Sequence, residues 1–186
     1  MSEQELISGL QKGDATAFKE IVSLFQDKVY NTALGLVQNT ADAEDVAQEV
    51  FIQVYKSVGQ FKATSALSTW IYRITVNKSY DHLQYKKRKK RFGFIVSLWN
   101  EDNKPVYEPV NFVHPGVELD KKEAAGMLFR QIERLPENQK TAFILNKIED
   151  LSYMEIADIM NTTEAAVDSL LSRAKQNLRK YLTDST

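Results

Sequence analysis

The sequence predicts an all-α protein in which two small helical domains are joined by a flexible linker. Apolar residues recur at helical spacing through most of the 186 residues, and no segment shows the alternation typical of a strand. Three of the four prolines fall together between the two helical parts. These observations divide the chain into a front domain of residues 1–92, a linker of residues 93–120 and a back domain of residues 121–186.

The distribution of charge supports the same division. Lys and Arg outnumber Asp and Glu by 13 to 10 in the front domain, and Asp and Glu outnumber Lys and Arg by 5 to 1 in the linker. The back domain carries 10 residues of each sign. A basic front, an acidic linker and a neutral back indicate three parts with separate roles. The net charge of −1 argues against strong non-specific attraction of DNA through the long-range field alone.

Four helices are predicted in the front domain. The first covers residues 3–12 and ends at Gly13, and Asp14 is a suitable N-cap for the second. The clearest helical period follows Thr40, and the fourth helix runs from about Ser68 to the basic cluster. Helices packed on helices without a sheet form a small bundle.

The back domain predicts a helix-turn-helix. Pro136 stands where a helix would start, and Ser152 with Glu155 forms a capping box for the next one. That helix stops at Asn161, and a new apolar period begins at Val167. Two helices joined by so short a turn must cross sharply, which is the geometry of this motif.

The segment from Ser65 to Arg91 combines aromatic residues with six consecutive basic residues. Aromatic rings can stack on bases that have left a duplex, and a dense positive run neutralises phosphates. The segment is therefore suited to binding nucleic acid that is partly melted.

Composition excludes several classes of function. The chain has no cysteine, which excludes disulfides, thiolate catalysis and cysteine-based zinc sites. Its two histidines, His82 and His114, have no helically spaced partner for a metal site or a nucleophile–base pair. We therefore expect no cofactor, no metal and no enzymatic activity. No apolar run approaches the ~18 residues of a membrane span, and no signal peptide is seen, so we expect a cytoplasmic protein without membrane insertion.

The motifs resemble those of a known family. Residues Asp42–Phe51 and Ser68–Ile74, with Asn77 and Asp81, resemble sigma region 2, and residues Leu135–Leu182 resemble sigma region 4. Together they are similar to the extracytoplasmic-function (ECF) group of bacterial sigma-70-type factors. The absence of a region 3 domain between the halves is typical of that group.

The resemblance implies three binding activities. A factor of this kind binds core RNA polymerase, holds one strand of the melted −10 element and binds the duplex −35 element. Core polymerase is expected to contact the acidic face of the third helix, formed by Asp42, Asp45, Gln48 and Glu49. The acidic linker is expected to thread through the polymerase toward the RNA exit channel.

The −10 strand is expected to be held by the loop of residues 61–68 and the helix that follows. Hydrogen-bonding and stacking groups and the basic run are the candidates: Ser65, Ser68, Trp70, Asn77, Lys86, Lys87, Arg88, Lys89, Lys90 and Arg91. Trp70 suits base stacking, but packing inside the bundle is the favoured alternative for it. The family often has an aromatic residue where this chain has Leu67.

The −35 element is expected to be read by the second helix of the helix-turn-helix. The candidate residues are Asp168, Ser169, Ser172, Arg173 and Lys175. The family commonly has a Gly-Thr pair followed by a basic residue, whereas this chain has Ala165-Ala166 and then Asp168. Asp can accept a hydrogen bond from a cytosine amino group, so we expect an unusual −35 preference or weak reliance on that element. Arg173 is the best candidate for a guanine contact.

Two other classes of function account for less of the sequence. A stand-alone helix-turn-helix regulator explains residues 136–182, but it leaves the acidic helix and the aromatic–basic segment without a role. An enzyme lacks a catalytic cluster in this sequence. Many ECF factors are held inactive by an anti-sigma factor, and the residues neither prove nor exclude such a partner here.

Overall fold

The computed structural model describes residues 2–62, 65–97 and 122–184, with only the backbone described for residues 92–97 and 122–127. These residues form α-helices and one short 3-10 helix, and no strand is found among them, which confirms the predicted all-α class. The α-helices are α1 (Glu3–Gln11), α2 (Ala15–Val37), α3 (Thr40–Ser57), α4 (Leu67–Ser97), α5 (Lys122–Glu133), α6 (Glu137–Lys147), α7 (Tyr153–Met160) and α8 (Glu164–Thr183).

Local capping chemistry fixes the helix starts of the front domain. Gly13 adopts φ 76° between α1 and α2, a conformation that favours glycine. The Asp14 carboxylate then accepts from the Thr16 amide at 2.8 Å and begins α2, as the sequence predicts. Asn39 begins α3 in the same way, because its side-chain oxygen accepts from the Asp42 amide at 2.9 Å.

The apolar period of α3 faces the centre of the front bundle. Val46, Val50 and Val54 are fully buried against α2 and α4. Full burial of one such side chain contributes ~1.5–3 kcal/mol. The opposite side of α3 is left to solvent.

Helix α4 is longer than the sequence predicted. It continues past the basic run to Ser97, five residues into the segment assigned as linker. A single glycine such as Gly93 costs a helix only ~1 kcal/mol, and the first proline comes at Pro105, so no strong helix breaker stands in this stretch. The apolar contacts expected of residues 94–96, 98 and 99, and the linker path beyond residue 97, fall outside the described side chains and residues.

The predicted helix-turn-helix is confirmed. Ser152 and Glu155 form the capping box at the start of α7, and Asn161 ends that helix in the left-handed conformation with φ 52°. Thr163 caps α8 by accepting from the Ala166 amide. Helices α6 and α7 pack with α8 around buried apolar residues that include Ala142, Leu145, Ile156, Val167 and Leu171.

The two halves pack against each other in one molecule. Helix α6 lies on α2 and helix α7 lies on α4. The approach of α2 and α6 is close at Gly35, where an added Cβ would lie 2.9 Å from Ile144 Cγ2. Among the described residues, no helix is long and apolar enough to cross a membrane.

Candidate nucleic-acid and polymerase interfaces

Val46, Val50 and Val54 form a buried valine stripe along α3. The opposite side of α3 presents an acidic surface. Asp45, Gln48 and Glu49 are exposed there. Glu49 lies 4.0 Å from the Lys78 ammonium, with both side chains in contact with solvent. Such surface ion pairs contribute little to the free energy of folding. Glu49 can therefore exchange Lys78 for another cationic partner with little loss of stability.

Asp42 lies at the end of this surface but differs from the other acids. Its side chain is only 15% exposed, and its Oδ2 accepts from Lys86 Nζ at 2.6 Å. His82 Nε2 stands 3.2 Å from Oδ1, at ion-pair distance but without hydrogen-bond geometry. Asp42 therefore links the start of α3 to the basic run on α4, whereas Asp45 and Glu49 face solvent.

The predicted −10 residues lie at the start and along the outer side of α4. Ser65 and Ser68 are half-buried, and Asn77 is exposed. The Trp70 ring packs against Phe61 in a tilted arrangement, with ring centroids 4.9 Å apart, so it packs in the bundle as favoured from the sequence. Because Trp70 is only half-buried, part of its ring still reaches the surface.

Leu67 is buried rather than available for stacking. It is 2% exposed, and its amide donates to Glu3 Oε1 at 2.8 Å. The start of α4 is thereby anchored to α1. Residues 63 and 64 of the preceding loop lie outside the described residues.

The six basic residues of the run are all exposed on the last part of α4 whose side chains the structure describes. Successive residues turn ~100° around a helix, so the charges point in several directions. Like charges at i and i+4, such as Lys87 and Arg91, repel one another. Phosphates bound alongside would relieve that repulsion.

The predicted −35 residues share the outer side of α8. Asp168, Ser169, Ser172, Arg173 and Lys175 are exposed. The opposite side of α8 is buried at Val167, Leu171, Ala174 and Leu178. Ser169 already donates its hydroxyl to the Ala165 carbonyl at 3.0 Å. Arg173 therefore offers the strongest donors on this surface.

The structure also brings together residues that the sequence did not connect. Tyr72 on α4 is 4% exposed, and its hydroxyl donates to Glu149 Oε2 at 2.9 Å. Next to it, Arg73 donates through Nε and Nη2 to the Asp158 carbonyl of α7. Further along α4, Tyr80 donates to the Glu137 carbonyl at 2.7 Å. We call these three pairs the clasp.

Burial shifts the acidity of the clasp residues. It raises the pKa of the Tyr72 phenol, and the Glu149 charge raises it further. Burial also raises the pKa of the Glu149 carboxyl, although the hydrogen bond from Tyr72 lowers it in part. Burial raises the pKa of Tyr80 to about 12. Both phenols are therefore neutral donors at physiological pH, and Glu149 is destabilised as an anion.

Comparison with known proteins decides the family. The sigma-70 region 2 model matches residues 21–89, and the sigma-70 region 4 model matches residues 125–178. The chain is 30% identical over 186 residues to the ECF RNA polymerase sigma factor SigW of Bacillus subtilis, covering 99% of this chain and 98% of the relative. The chain belongs to the ECF group of sigma-70-type RNA polymerase sigma factors.

Other relatives agree with this ECF assignment. The ECF RNA polymerase sigma-E factor of Escherichia coli K12 is 32% identical over 176 residues, covering 95% of this chain and 92% of the relative. A solved structure of the sigma factor RpoE from Bartonella quintana, in complex with the anti-sigma factor NepR, shares the fold. Its TM-score is 0.64 at 24% identity, covering 89% of this chain and 96% of that chain.

Membership of the ECF group confirms the class of function expected from the motifs. The protein is a transcription initiation factor and not an enzyme. The region 2 match spans the acidic surface of α3 and the first four residues of the basic run, and the region 4 match spans the helix-turn-helix. The roles of individual residues remain predictions.

Proposed function

We propose that this ECF sigma factor directs core RNA polymerase to a particular set of promoters, acting in the cytoplasm. The observation that carries the proposal is the presence, in one chain, of an exposed acidic surface on α3 and an exposed polar surface on a helix-turn-helix. A regulator that acts without polymerase does not need the acidic surface on α3.

Core polymerase docks on the acidic surface of α3 in this proposal. Asp45, Gln48 and Glu49 project from successive turns, and the fully buried valine stripe behind them fixes their direction. Exposed carboxylates on a rigid helix suit a basic surface, because opposite charges steer the encounter and fix its register. Asp42 contributes only after Lys86 releases it.

The melted −10 strand runs along α4 in this proposal. Ser65, Ser68 and Asn77 offer small donors and acceptors for an extruded base, and the exposed part of Trp70 offers a stacking surface. The basic run beyond them neutralises the phosphates at the edge of the duplex.

Helix α8 lies in the major groove of the −35 duplex in this proposal. Arg173 can donate two hydrogen bonds to guanine, and Asp168 can accept one from cytosine. Both residues are exposed on α8. This pair favours G·C base pairs at neighbouring positions of the −35 element.

We propose an anti-sigma factor as a further partner, from the structural similarity to the Bartonella protein alone. The Bartonella protein was solved with such a partner bound. A protein of that kind would have to cover surfaces that core polymerase or DNA also uses.

The test of core binding uses a fluorescently labelled chain titrated with purified core polymerase. Reversing Asp45 and Glu49 to Lys should weaken binding by at least tenfold, because both charges then repel a basic partner. The matched control reverses Asp27 and Asp184, which are exposed elsewhere and change the net charge equally. Equal affinities for both double variants would contradict the proposed docking surface.

A second measurement separates the sigma factor from a stand-alone regulator. Promoter duplexes are titrated with the chain alone and with the chain bound to core polymerase. The proposal predicts specific binding only with core present. Tight, specific binding by the chain alone would favour the regulator.

A further inference from the structure

Helix α1 contacts both ends of the loop of residues 61–66, which precedes α4. Its first residue, Glu3, accepts through Oε1 from the Leu67 amide at 2.8 Å. Its last residue, Gln11, donates through Nε2 to the carbonyls of Val58 and Phe61, both at 3.4 Å. The helical rise from Glu3 to Gln11 is ~12 Å. One short helix is therefore bonded to the chain just before the loop, at its start and just after its end.

The hydrogen bond to Glu3 replaces a local helix cap that the sequence lacks. The residue before α4 is Ala66, and its side chain has no acceptor for the first amides of the helix. Ala is among the poorest N-cap residues. The Leu67 amide belongs to the amides that a helix start leaves without an intrahelical partner, and a carboxylate there also suits the helix dipole. The start of α4 is therefore stabilised by a residue 64 positions away in the chain.

The contact at the start of the loop extends to the candidate stacking surface. Phe61 is buried, and its ring lies against Trp70 with ring centroids 4.9 Å apart. Trp70 stands in the first turn of α4, three residues after Leu67. Gln11 therefore affects the Trp70 ring through Phe61, and Glu3 affects it through the start of α4. The part of the half-buried ring that a base can reach depends on both contacts.

Helix α1 is rigidly seated in the front bundle. Leu6 and Leu10 are buried in the core. A capping box between Ser2 and Glu5 begins the helix. Helix α1 also approaches α2 closely at Gly9, where an added Cβ would lie only 2.7 Å from Ala17 Cβ. A helix fixed in this way can hold a neighbouring loop in one geometry.

We propose that α1 is a positioning element for the melted −10 strand, in which Glu3 and Gln11 determine the base preference of the site without contacting DNA themselves. The proposal rests on the proposed function, because it takes the start of α4 as part of the strand site. The region 2 match begins at residue 21, so α1 lies outside it. Helix α1 would thus add a determinant of promoter choice to those in the region 2 motifs.

Substitutions at Glu3 separate positioning from a general effect on folding. Glu3→Ala removes the acceptor, whereas Glu3→Gln keeps an oxygen that the Leu67 amide can reach. Gln4→Ala is the matched control, because Gln4 is exposed on the same turn of α1. Loss of an N-cap hydrogen bond changes an equilibrium about two- to fivefold.

Two further variants change the contact at the start of the loop and the position of the whole helix. Gln11→Ala removes the donor to the Val58 and Phe61 carbonyls. Gly9→Ala forces α1 away from Ala17, because neither Cβ can move without its backbone. Gly59→Ala is the control for Gly9→Ala, since an added Cβ at Gly59 meets nothing within 4 Å. Thermal melts of all variants establish that each one is folded at the temperature of the measurements.

The first readout is the exposure of Trp70 in the free, full-length chain. The sequence has two tryptophans, so Trp99→Phe leaves Trp70 as the only one. In this background, acrylamide quenching of Trp70 fluorescence should rise in Glu3→Ala, Gln11→Ala and Gly9→Ala. Quenching should stay unchanged in Glu3→Gln, Gln4→Ala and Gly59→Ala. Unchanged quenching in the first three variants would mean that α1 does not position the loop, which overturns the proposal.

The second readout is the base preference of the holoenzyme for single-stranded DNA. Holoenzyme made with each variant is mixed with a pool of short single strands of random sequence, and the bound strands are sequenced. Glu3→Ala should lower the enrichment of the preferred base about two- to fivefold at one or two adjacent positions, and Glu3→Gln should restore it. A loss of affinity that is equal for all bases would assign α1 to the fold alone and overturns the proposal.

Core polymerase alone is the reference that distinguishes the two possible failures. Enrichment by the unmodified holoenzyme beyond that of core alone, with an unchanged base pattern in Glu3→Ala, would overturn the positioning role of α1 and leave the strand site in place. No enrichment by the unmodified holoenzyme, beside the expected changes in quenching, would overturn the proposed −10 site on α4 and the positioning role with it.

Discussion

Gly35→Ala tests the packing between α2 and α6 most sharply. The added Cβ would lie 2.9 Å from Ile144 Cγ2 and 3.0 Å from Cδ1, closer than side-chain carbons normally approach. Overpacking of this kind costs ~1–3 kcal/mol. The gain of ~1 kcal/mol in helix propensity offsets part of this cost, because Gly35 lies inside α2.

The strain from Gly35→Ala therefore acts only where the two halves are packed together, as they are in the structure. A cost of ~1–3 kcal/mol shifts the ratio of separated to packed halves about 5- to 150-fold toward separation. The assay is energy transfer between two dyes attached through Lys56→Cys on α3 and Arg179→Cys on α8, both at exposed positions of a chain without natural cysteine. Gly59→Ala is the matched control. An added Cβ at Gly59 meets nothing within 4 Å. Equal transfer in Gly35→Ala and Gly59→Ala would show that the contact between Gly35 and Ile144 does not hold the two halves together.

Three further predictions address the DNA surfaces and the pH response. Arg173→Ala should cost ~1–3 kcal/mol of −35 discrimination and erase the base preference at one position, as measured with a library of −35 variants on the holoenzyme; a uniform loss across all sequences would indicate a phosphate contact instead. Lys87→Ala should reduce the slope of log affinity against log salt for single-stranded DNA by ~0.7, and an unchanged slope would remove Lys87 from the strand site. Packing of the two halves should be favoured at low pH, because burial raises the Glu149 pKa in the packed arrangement. The protonated acid stabilises that packing fully below the exposed-state pKa of about 4.3, and the stability is lost as the pH rises through the raised pKa of the packed arrangement. Energy transfer between dyes on the two halves should therefore fall as the pH rises above about 4.3 in the unmodified chain and stay flat in Glu149→Gln; a parallel fall in both would assign the response to other groups.

The helix pattern was predictable wherever local chemistry decides it. Asp14 and Ser152 begin helices through hydrogen bonds to amides two or three residues away, which the sequence displays directly. The buried side of α3 follows from the spacing of its valines. The turn at Asn161 follows from a residue that tolerates positive φ.

Contacts between distant segments could not be predicted in the same way. Tyr72 and Glu149 are 77 residues apart, and Asp42 and Lys86 are 44 apart. Their pairing depends on how whole helices are oriented. The local sequence around either residue does not specify that orientation. Tyr72 belongs to the aromatic–basic segment that suits nucleic-acid binding, yet the structure buries its ring against the back domain.

The end of α4 shows a different limit. Proline and glycine clustering suggested that the linker starts at residue 93, but helix α4 persists to Ser97. An established helix propagates through a weak residue at little cost, since each added residue brings one more hydrogen bond. The clustering of proline and glycine therefore locates the linker region but does not fix the residue at which the linker begins.

In vitro transcription with purified core polymerase is the most direct test of sigma-factor activity in this chain. Promoter fragments from the source genome serve as templates, and transcripts are compared with and without the chain. We expect start sites that require the chain and disappear when Asp45 and Glu49 are both changed to Lys, while the Asp27 and Asp184 double reversal retains them. An absence of chain-dependent transcripts, together with tight duplex binding by the chain alone, would contradict the account.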